Sequence, residues 1–324
     1  MILITGATGF LGRTLVDNCL TAGYEVRALV RNPEGRDLPW KGLVDIAEGD
    51  VLDILSLCRA MEGVDTVLHA AAMVSFLKKD HDQLMRVNVE GTANVVDACL
   101  ETGLPQLIHI SSIASIGRAA KGQQSHEETP LHATHIGSNY AKSKIGAERE
   151  VQRGVAEGLQ ASILNPGMIL GAGNWDDGTP KIFRTVANGL AFYNGGSNGW
   201  VAAEDVAQAC LLAIDQDPTP GERYILVGEN RSYHWFLTEV ATQLKQKAPG
   251  IKIPRFVAII AGWISEKVAP LFGKEPLLTL ENMRSGTRNH AYDGSKITQL
   301  GLQYTPIEQV IAHTAQAYLA QHPA

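Results

Sequence analysis

Tyr140 and Lys144 stand four residues apart in the stretch "YAKSK", and on a helix that spacing puts both side chains on one face. A phenol with a pKa of about 10 is a poor proton donor and acceptor at neutral pH, but an ammonium beside it favours the phenolate and lowers that value. Such a pair can exchange a proton with an oxygen that alternates between hydroxyl and carbonyl. Ser112, at the end of an apolar run, offers a hydroxyl to hold the same oxygen. Chance is a rival reading: in a chain with 8 Tyr, a lysine four residues later arises by accident in about one sequence of three. Tyr292 and Lys296 repeat the spacing, but Gly294 lies between them and no preceding strand end supplies a serine, so that pair reads as structural.

The opening "MILITGATGFLGRTL" asks for a partner to this chemistry. Gly6, Gly9 and Gly12 fall between an apolar strand and a helix, with Thr8, Phe10 and Leu11 among them. Glycine lets the chain turn tightly and lets main-chain N–H groups approach an anion at the positive end of the helix. A plain strand-to-helix turn is the competing reading. A dinucleotide site also requires a residue that reads the adenosine ribose, about 20 residues beyond the glycines at the end of the second strand. Arg31 stands there. A carboxylate would accept from a free 2′-hydroxyl, whereas a guanidinium suits a 2′-phosphate, so the sequence points to NADP over NAD. Arg13 or Arg36 could share the phosphate, and a solvated strand-end arginine is the alternative. Asp50 and Val51 are placed to flank the adenine, and Ala70, Ala71 and Ala72 are small enough for the cofactor to lie against backbone.

These residues need strand ends to carry them. Ile2–Thr5, Glu25–Val30, Val44–Ala47, Thr66–His69, Gln106–Ile110 and Ser162–Leu164 read as strands; Leu11–Ala22, Ile54–Met61, Gln83–Glu101 and Tyr140–Glu157 read as helices. Strand alternating with helix implies a parallel sheet covered on both faces, the Rossmann-type doubly wound α/β fold, with ligands outside the carboxyl ends of the strands. The alternation stops after Leu164. The expectation is a dinucleotide-binding domain over 1–168, with 200–218 returning to it. A smaller, mainly helical substrate lobe takes 169–199 and 219–324.

With 324 residues, 45% hydrophobic and 19% charged, the chain can bury a large core. Its net charge of -6 offers no basic field for nucleic acid. No apolar run reaches the length of a membrane span and none reads as a leader, so a cytoplasmic protein is expected. "FVAIIAGWI" at 256–264 could touch a membrane surface, yet reads better as a buried helix of the second lobe. Cys19, Cys58, Cys99 and Cys210 are widely spaced and read as reduced thiols. His126, His132 and His135 lie in a polar loop without carboxylates in register, and no metal is expected.

Together "TGATGFLG", "GDVLD" at Gly49 to Asp53, "VNVEGT" at Val87 to Thr92, "SS" at Ser111 and Ser112, and "YAKSK" resemble an extended short-chain dehydrogenase/reductase over nearly the whole chain. "RALVRNP" at Arg27 to Pro33 and the ending "YDGSKITQLGLQYTPIEQVI" look most like the branch of dihydroflavonol reductases and 3β-hydroxysteroid dehydrogenases. The resemblance implies Tyr140 as catalytic acid/base, Lys144 on the nicotinamide ribose and tuning Tyr140, and Ser112 orienting the substrate oxygen. Pro166, Gly167 and Met168 would hold the carboxamide. It also implies a homodimer through the helices containing Val95 and Ala147. Sugar-nucleotide dehydratases of this family carry Asp-Glu where this chain has Ile113, Ala114 and Ser115, and many epimerases have arginine where Asn165 precedes Pro166. Both departures weaken a nucleotide-sugar substrate. Met73, Phe76 and Trp175 suggest an apolar substrate wall instead, with ordinary core packing as the alternative. The expected activity is NADP-dependent interconversion of a secondary alcohol and a carbonyl. An epimerase retaining NAD and a non-catalytic cofactor sensor are the alternatives.

Overall fold

In the computed structural model, residues 1–34, 38–103, 106–132, 137–216, 219–268 and 279–322 are described. The first strand, β1 (Ile2–Thr5), leads through the glycine turn into α1 (Phe10–Thr21), followed by β2 (Val26–Val30) and β3 (Asp45–Glu48). Then come α2 (Ile54–Met61), β4 (Thr66–His69), α3 (His81–Met85), α4 (Gly91–Thr102), β5 (Gln106–Ile110), α5 (Asn139–Ala156) and β6 (Gln160–Pro166). The second half holds β7 (Met168–Leu170), α6 (Pro180–Ala187), β8 (Phe192–Asn194), β9 (Ser197–Ala202) and α7 (Ala203–Asp215). It continues with β10 (Arg223–Leu226), β11 (Glu229–Ser232), α8 (Tyr233–Gln243), β12 (Ile251–Ile253), α9 (Arg255–Val268), α10 (Leu280–Gly286) and α11 (Ile307–Gln321).

Seven parallel strands form the central sheet in the order β10-β6-β5-β4-β1-β2-β3. Successive side chains of each strand face opposite layers. Ile2 and Ile4 pack with Leu15 and Val16 of α1 and Val206 and Cys210 of α7, while Leu3 packs with Leu57 of α2, Val95 and Cys99 of α4 and Val151 of α5. Strand order reverses between β1 and β4, and that switch opens the crevice where this fold binds ligands.

The helix expected over Gln83–Glu101 is longer and interrupted: α3 and α4 are joined by a π-helical stretch, Arg86–Glu90. The domain boundary also moves. Met168 already belongs to a second sheet, β11-β9-β7, whereas Arg223–Leu226, placed in the second lobe by its sequence position, pairs with β6 as an edge of the central sheet. The return is made by α7 together with the strand after it. The second lobe packs α6, α8 and α11 against β7 and β9 around Trp175, Phe183, Trp200 and Phe236.

One expectation about a surface is corrected. The stretch 256–264 is not a buried helix: only Ala258 and Gly262 of α9 are buried, and Phe256 and Trp263 are 67% and 54% exposed. Its small residues face α10, where Gly262 would bring a Cβ to 2.9 Å from the Thr279 carbonyl. Val95 and Ala147 are themselves buried in their own chain, so a pairing of α4 and α5 with a second copy would use other residues of those helices.

Candidate active site

Ser138 begins α5. Its hydroxyl accepts the Ala141 N–H at 2.8 Å, the cap that leaves Tyr140 in the first turn at the mouth of the crevice. Tyr140, Lys144 and Glu148 then fall one turn apart on the same helix face. The Tyr140 phenol lies near enough to the Ser112 hydroxyl for that hydroxyl to act on its proton. Burial raises its pKa and the Ser112 hydroxyl pulls it back; burial wins, so the phenol is held protonated rather than lowered as the sequence suggested. Lys144 donates through Nζ to the Ile110 carbonyl at 3.0 Å. Burial lowers its pKa to about 8, against the raising effect of Glu148.

The sequence reading missed the network beneath. Glu148 is buried and accepts from the Ser111 and Ser115 hydroxyls at 2.5 Å each and from Asn165 Nδ2 at 2.6 Å, with Arg223 3.5 Å away. Asn165 Nδ2 also donates to the Ser112 carbonyl at 3.1 Å, and the same carbonyl, 2.6 Å from Ser115 Oγ, is the alternative acceptor for that hydroxyl's one proton. A buried carboxylate with this many partners fixes the backbone of Ser112. Asn88 was missed too: its amide donates to the Met73 carbonyl and Ser143 hydroxyl and accepts the Met73 N–H at 2.7 Å. Its signal in the sequence, an asparagine set between Val87 and Val89, could have pointed to it.

The glycine turn is a cradle with no room for side chains. Gly6 has φ +74°, and a Cβ there would lie 2.7 Å from the Ala71 nitrogen; a Cβ on Gly12 would lie 2.0 Å from the Gly6 carbonyl oxygen. Thr8 and Phe10 are half-buried, Gly9 is exposed and Leu11 is buried. Ala70 and Ala71 donate to Thr5, and Ala72 is exposed at the crevice edge. Arg31 is 70% exposed, 3.8 Å from the Asp50 carboxylate. Both line an open cavity of about 410 Å³ with Asn32, Glu48, Gly49 and Asp53. Val51 packs under Gly91, and its carbonyl accepts from Asn94. At the far end Pro166 closes β6, Gly167 lies so close that a Cβ would meet the Gly199 carbonyl at 2.5 Å, and Met168 opens β7. A tight anion-facing turn, a ribose-end cavity and a close-packed far end fit a dinucleotide.

Of the substrate-wall residues, Phe76 meets the Tyr140 ring edge to face at 5.8 Å and Met73 is held by Asn88. Trp175 is elsewhere: it is 6% exposed, packs edge to face on Tyr318 at 5.1 Å and donates to Gln321, so it is core of the second lobe, not pocket wall. Tyr292 and Lys296 do not form a second pair: Lys296 is taken up by Glu222, while Tyr292 is buried in the apolar cluster of Ile113, Ile116, Ile225 and Val227. Arg36 and His135 lie outside the described residues.

Residues 2–228 match the NAD dependent epimerase/dehydratase family, and the chain belongs to it. It is an NAD(P)-dependent oxidoreductase of the extended short-chain dehydrogenase/reductase type. A Synechocystis protein with the provisional name dihydroflavonol 4-reductase is 33% identical over 318 residues, 95% of this chain and 92% of that one. The 3beta-hydroxysteroid-dehydrogenase/decarboxylase isoform 1 of Arabidopsis thaliana is 26% identical over 334 residues, 94% of this chain and 76% of that one. In fold, the crystal structure of the Thermus thermophilus UDP-glucose 4-epimerase with NAD matches at a TM-score of 0.76 and 22% identity, covering 100% of this chain and 99% of that one. Among the described residues no helix is long and apolar enough to cross a membrane.

Proposed function

We propose that this chain is an NADP-dependent oxidoreductase that interconverts a secondary alcohol and a carbonyl group at Ser112, Tyr140 and Lys144. The observation that carries the reading is the Tyr140 phenol set near enough to the Ser112 hydroxyl to feel it, with Lys144 buried one turn further along the same helix face. When bound, the nicotinamide supplies or accepts hydride. Tyr140 is kept protonated by burial, which suits it to give a proton to a carbonyl oxygen in the reducing direction. Ser112, its backbone fixed through Asn165 and Ser115, holds that oxygen. Lys144, charged below a pH of about 8, is the residue that the resemblance assigns to the nicotinamide ribose. Phe76 and Met73 give the substrate an apolar side.

Arg31 supports the choice of NADP, because a guanidinium at the edge of the ribose-end cavity can pair with a 2′-phosphate. The test is NADPH consumption against a panel of aldehydes and ketones. Stoichiometric NADP released with an alcohol product supports the reading. A cofactor that stays bound as NAD and shows no net turnover would make the chain an epimerase. Cofactor binding without turnover of any carbonyl, alcohol or nucleotide sugar would make it a sensor.

A further inference from the structure

Two separate segments are stitched together just beyond Ser112. Ser125 is the clasp: its N–H donates to the Ala291 carbonyl at 2.9 Å, its carbonyl accepts the Asp293 N–H at 2.8 Å, and its hydroxyl accepts the Ala119 N–H at 3.0 Å. Gly117 is wedged so that a Cβ would lie 2.3 Å from the Thr129 and Pro130 carbonyl oxygens. Arg118 is fixed between those two points. Opposite it, Ser197 donates its N–H to the Arg288 carbonyl at 3.1 Å and its hydroxyl to the His290 carbonyl at 2.9 Å. Tyr292 closes the junction by packing with Ile113, the residue after Ser112.

Arg118 and Arg288 are both half-buried, and their charges bear on one another and on His290. Burial first, and then these two cations, hold the His290 imidazole down at about 4. Neither arginine has a carboxylate or carbonyl partner among the described residues, although Asp and Glu outnumber Lys and Arg in the chain by 34 to 28. Arg27, Arg153, Arg184, Arg223 and Arg231 all have one. The groups shown to act on Arg118 besides Arg288 and His290 include the phenol of Tyr292, which in turn lies near Tyr233. Two cations brought under one another's influence, partly out of water and with no carboxylate partner among the described residues, are stabilised when an anion comes between them. Planar guanidinium groups suit a carboxylate or phosphate there.

We propose that Arg118 and Arg288 form a subsite for an anionic group of the substrate, a carboxylate or a phosphate, carried on the part of the molecule remote from the reacting carbonyl. This deepens the proposed function and rests on it for the chemistry at Tyr140.

The imidazole of His290 reports on the subsite without turnover. NMR titration of His290 in the full chain, with inorganic phosphate and with succinate as probes, is expected to show its pKa rising when one of them binds; which probe acts separates phosphate from carboxylate. Arg118→Gln and Arg288→Gln are each expected to raise the His290 pKa with no anion present and to weaken anion binding about tenfold or more. Arg118→Lys keeps the charge but not the fork, so it should hold His290 low while losing most of the affinity. It also serves if a glutamine variant fails to fold. Turnover gives the second arm: wild type should prefer a keto acid or keto phosphate to a neutral ketone of the same skeleton by about tenfold or more in kcat/KM, and the variants should lose that preference. A His290 pKa indifferent to both probes, with neutral and anionic ketones reduced alike, overturns the subsite and leaves the oxidoreductase reading standing. A His290 response that depends on Arg118, with no carbonyl reduced at all, keeps the subsite and overturns the oxidoreductase reading.

Discussion

At the scale of single residues, the site works by burial as much as by charge. Lys144 shows the sign of the effect. Its folded pKa, about 8, is below the ordinary lysine value, so between pH 8 and about 10.4 the unfolded chain binds a proton that the folded chain lacks. Folding therefore gains on raising the pH through that window, and the full penalty stands below it. Denaturation of the apoprotein at a series of pH values should show wild type gaining stability relative to Lys144→Met as pH rises through it; a difference that stays flat contradicts the burial argument. Arg31 makes a second prediction. A charge-assisted contact to a 2′-phosphate, discounted for its 70% exposure, favours NADP over NAD by about tenfold. Arg31→Asp should collapse or invert that ratio in fluorescence titrations, and an unchanged ratio removes Arg31 from the ribose site. Ser112, Tyr140 and Lys144 were legible because helix spacing and strand ends are local features. Asn88, Glu148 and Arg118 were not, since each matters through what the fold brings against it from 15 or more residues away.

At the scale of elements, the glycine turn and the start of α1 act as one rigid part. A methyl on Gly12 would have to share space with the Gly6 carbonyl, 2.0 Å away and backbone on both sides, so neither can yield without moving α1. Gly12→Ala should weaken dinucleotide binding about tenfold or more while the rest of the sheet still folds, read by cofactor titration beside circular dichroism. Unaltered affinity would mean that the turn does not cradle the phosphates. The early strands and helices were read within a residue or two because apolar runs and glycine turns alternate regularly. The π-helical stretch at 86–90 was hidden, because it shows in the sequence only as a one-residue slip in the apolar period, which the irregular spacing of Leu84, Val87 and Val89 does not single out. Met168 and β10 were misplaced for another reason: which sheet a short strand joins is decided by pairing with a distant segment, Trp200 for Met168 and Ile163 for Arg223.

At the scale of the whole molecule, the central sheet carries the cofactor cradle and the Ser112–Tyr140 pair, and the second lobe builds its own core around Trp175, Phe183 and Trp200. Trp175 was read as pocket wall because an aromatic in a glycine-rich stretch carries no period to say which way it faces. The exposed stripe of α9 was read as buried for the converse reason, since composition alone does not tell an unpartnered apolar face from a covered one. The proposed reaction turns on the Tyr140 phenol, and its removal tests that proposal most directly. In single-turnover assays with NADPH and a carbonyl accepted by wild type, Tyr140→Phe should keep its fold and its NADPH affinity while hydride transfer slows by about a hundredfold or more. Transfer in Tyr140→Phe at close to the wild-type rate would contradict the assignment of the proton to that phenol.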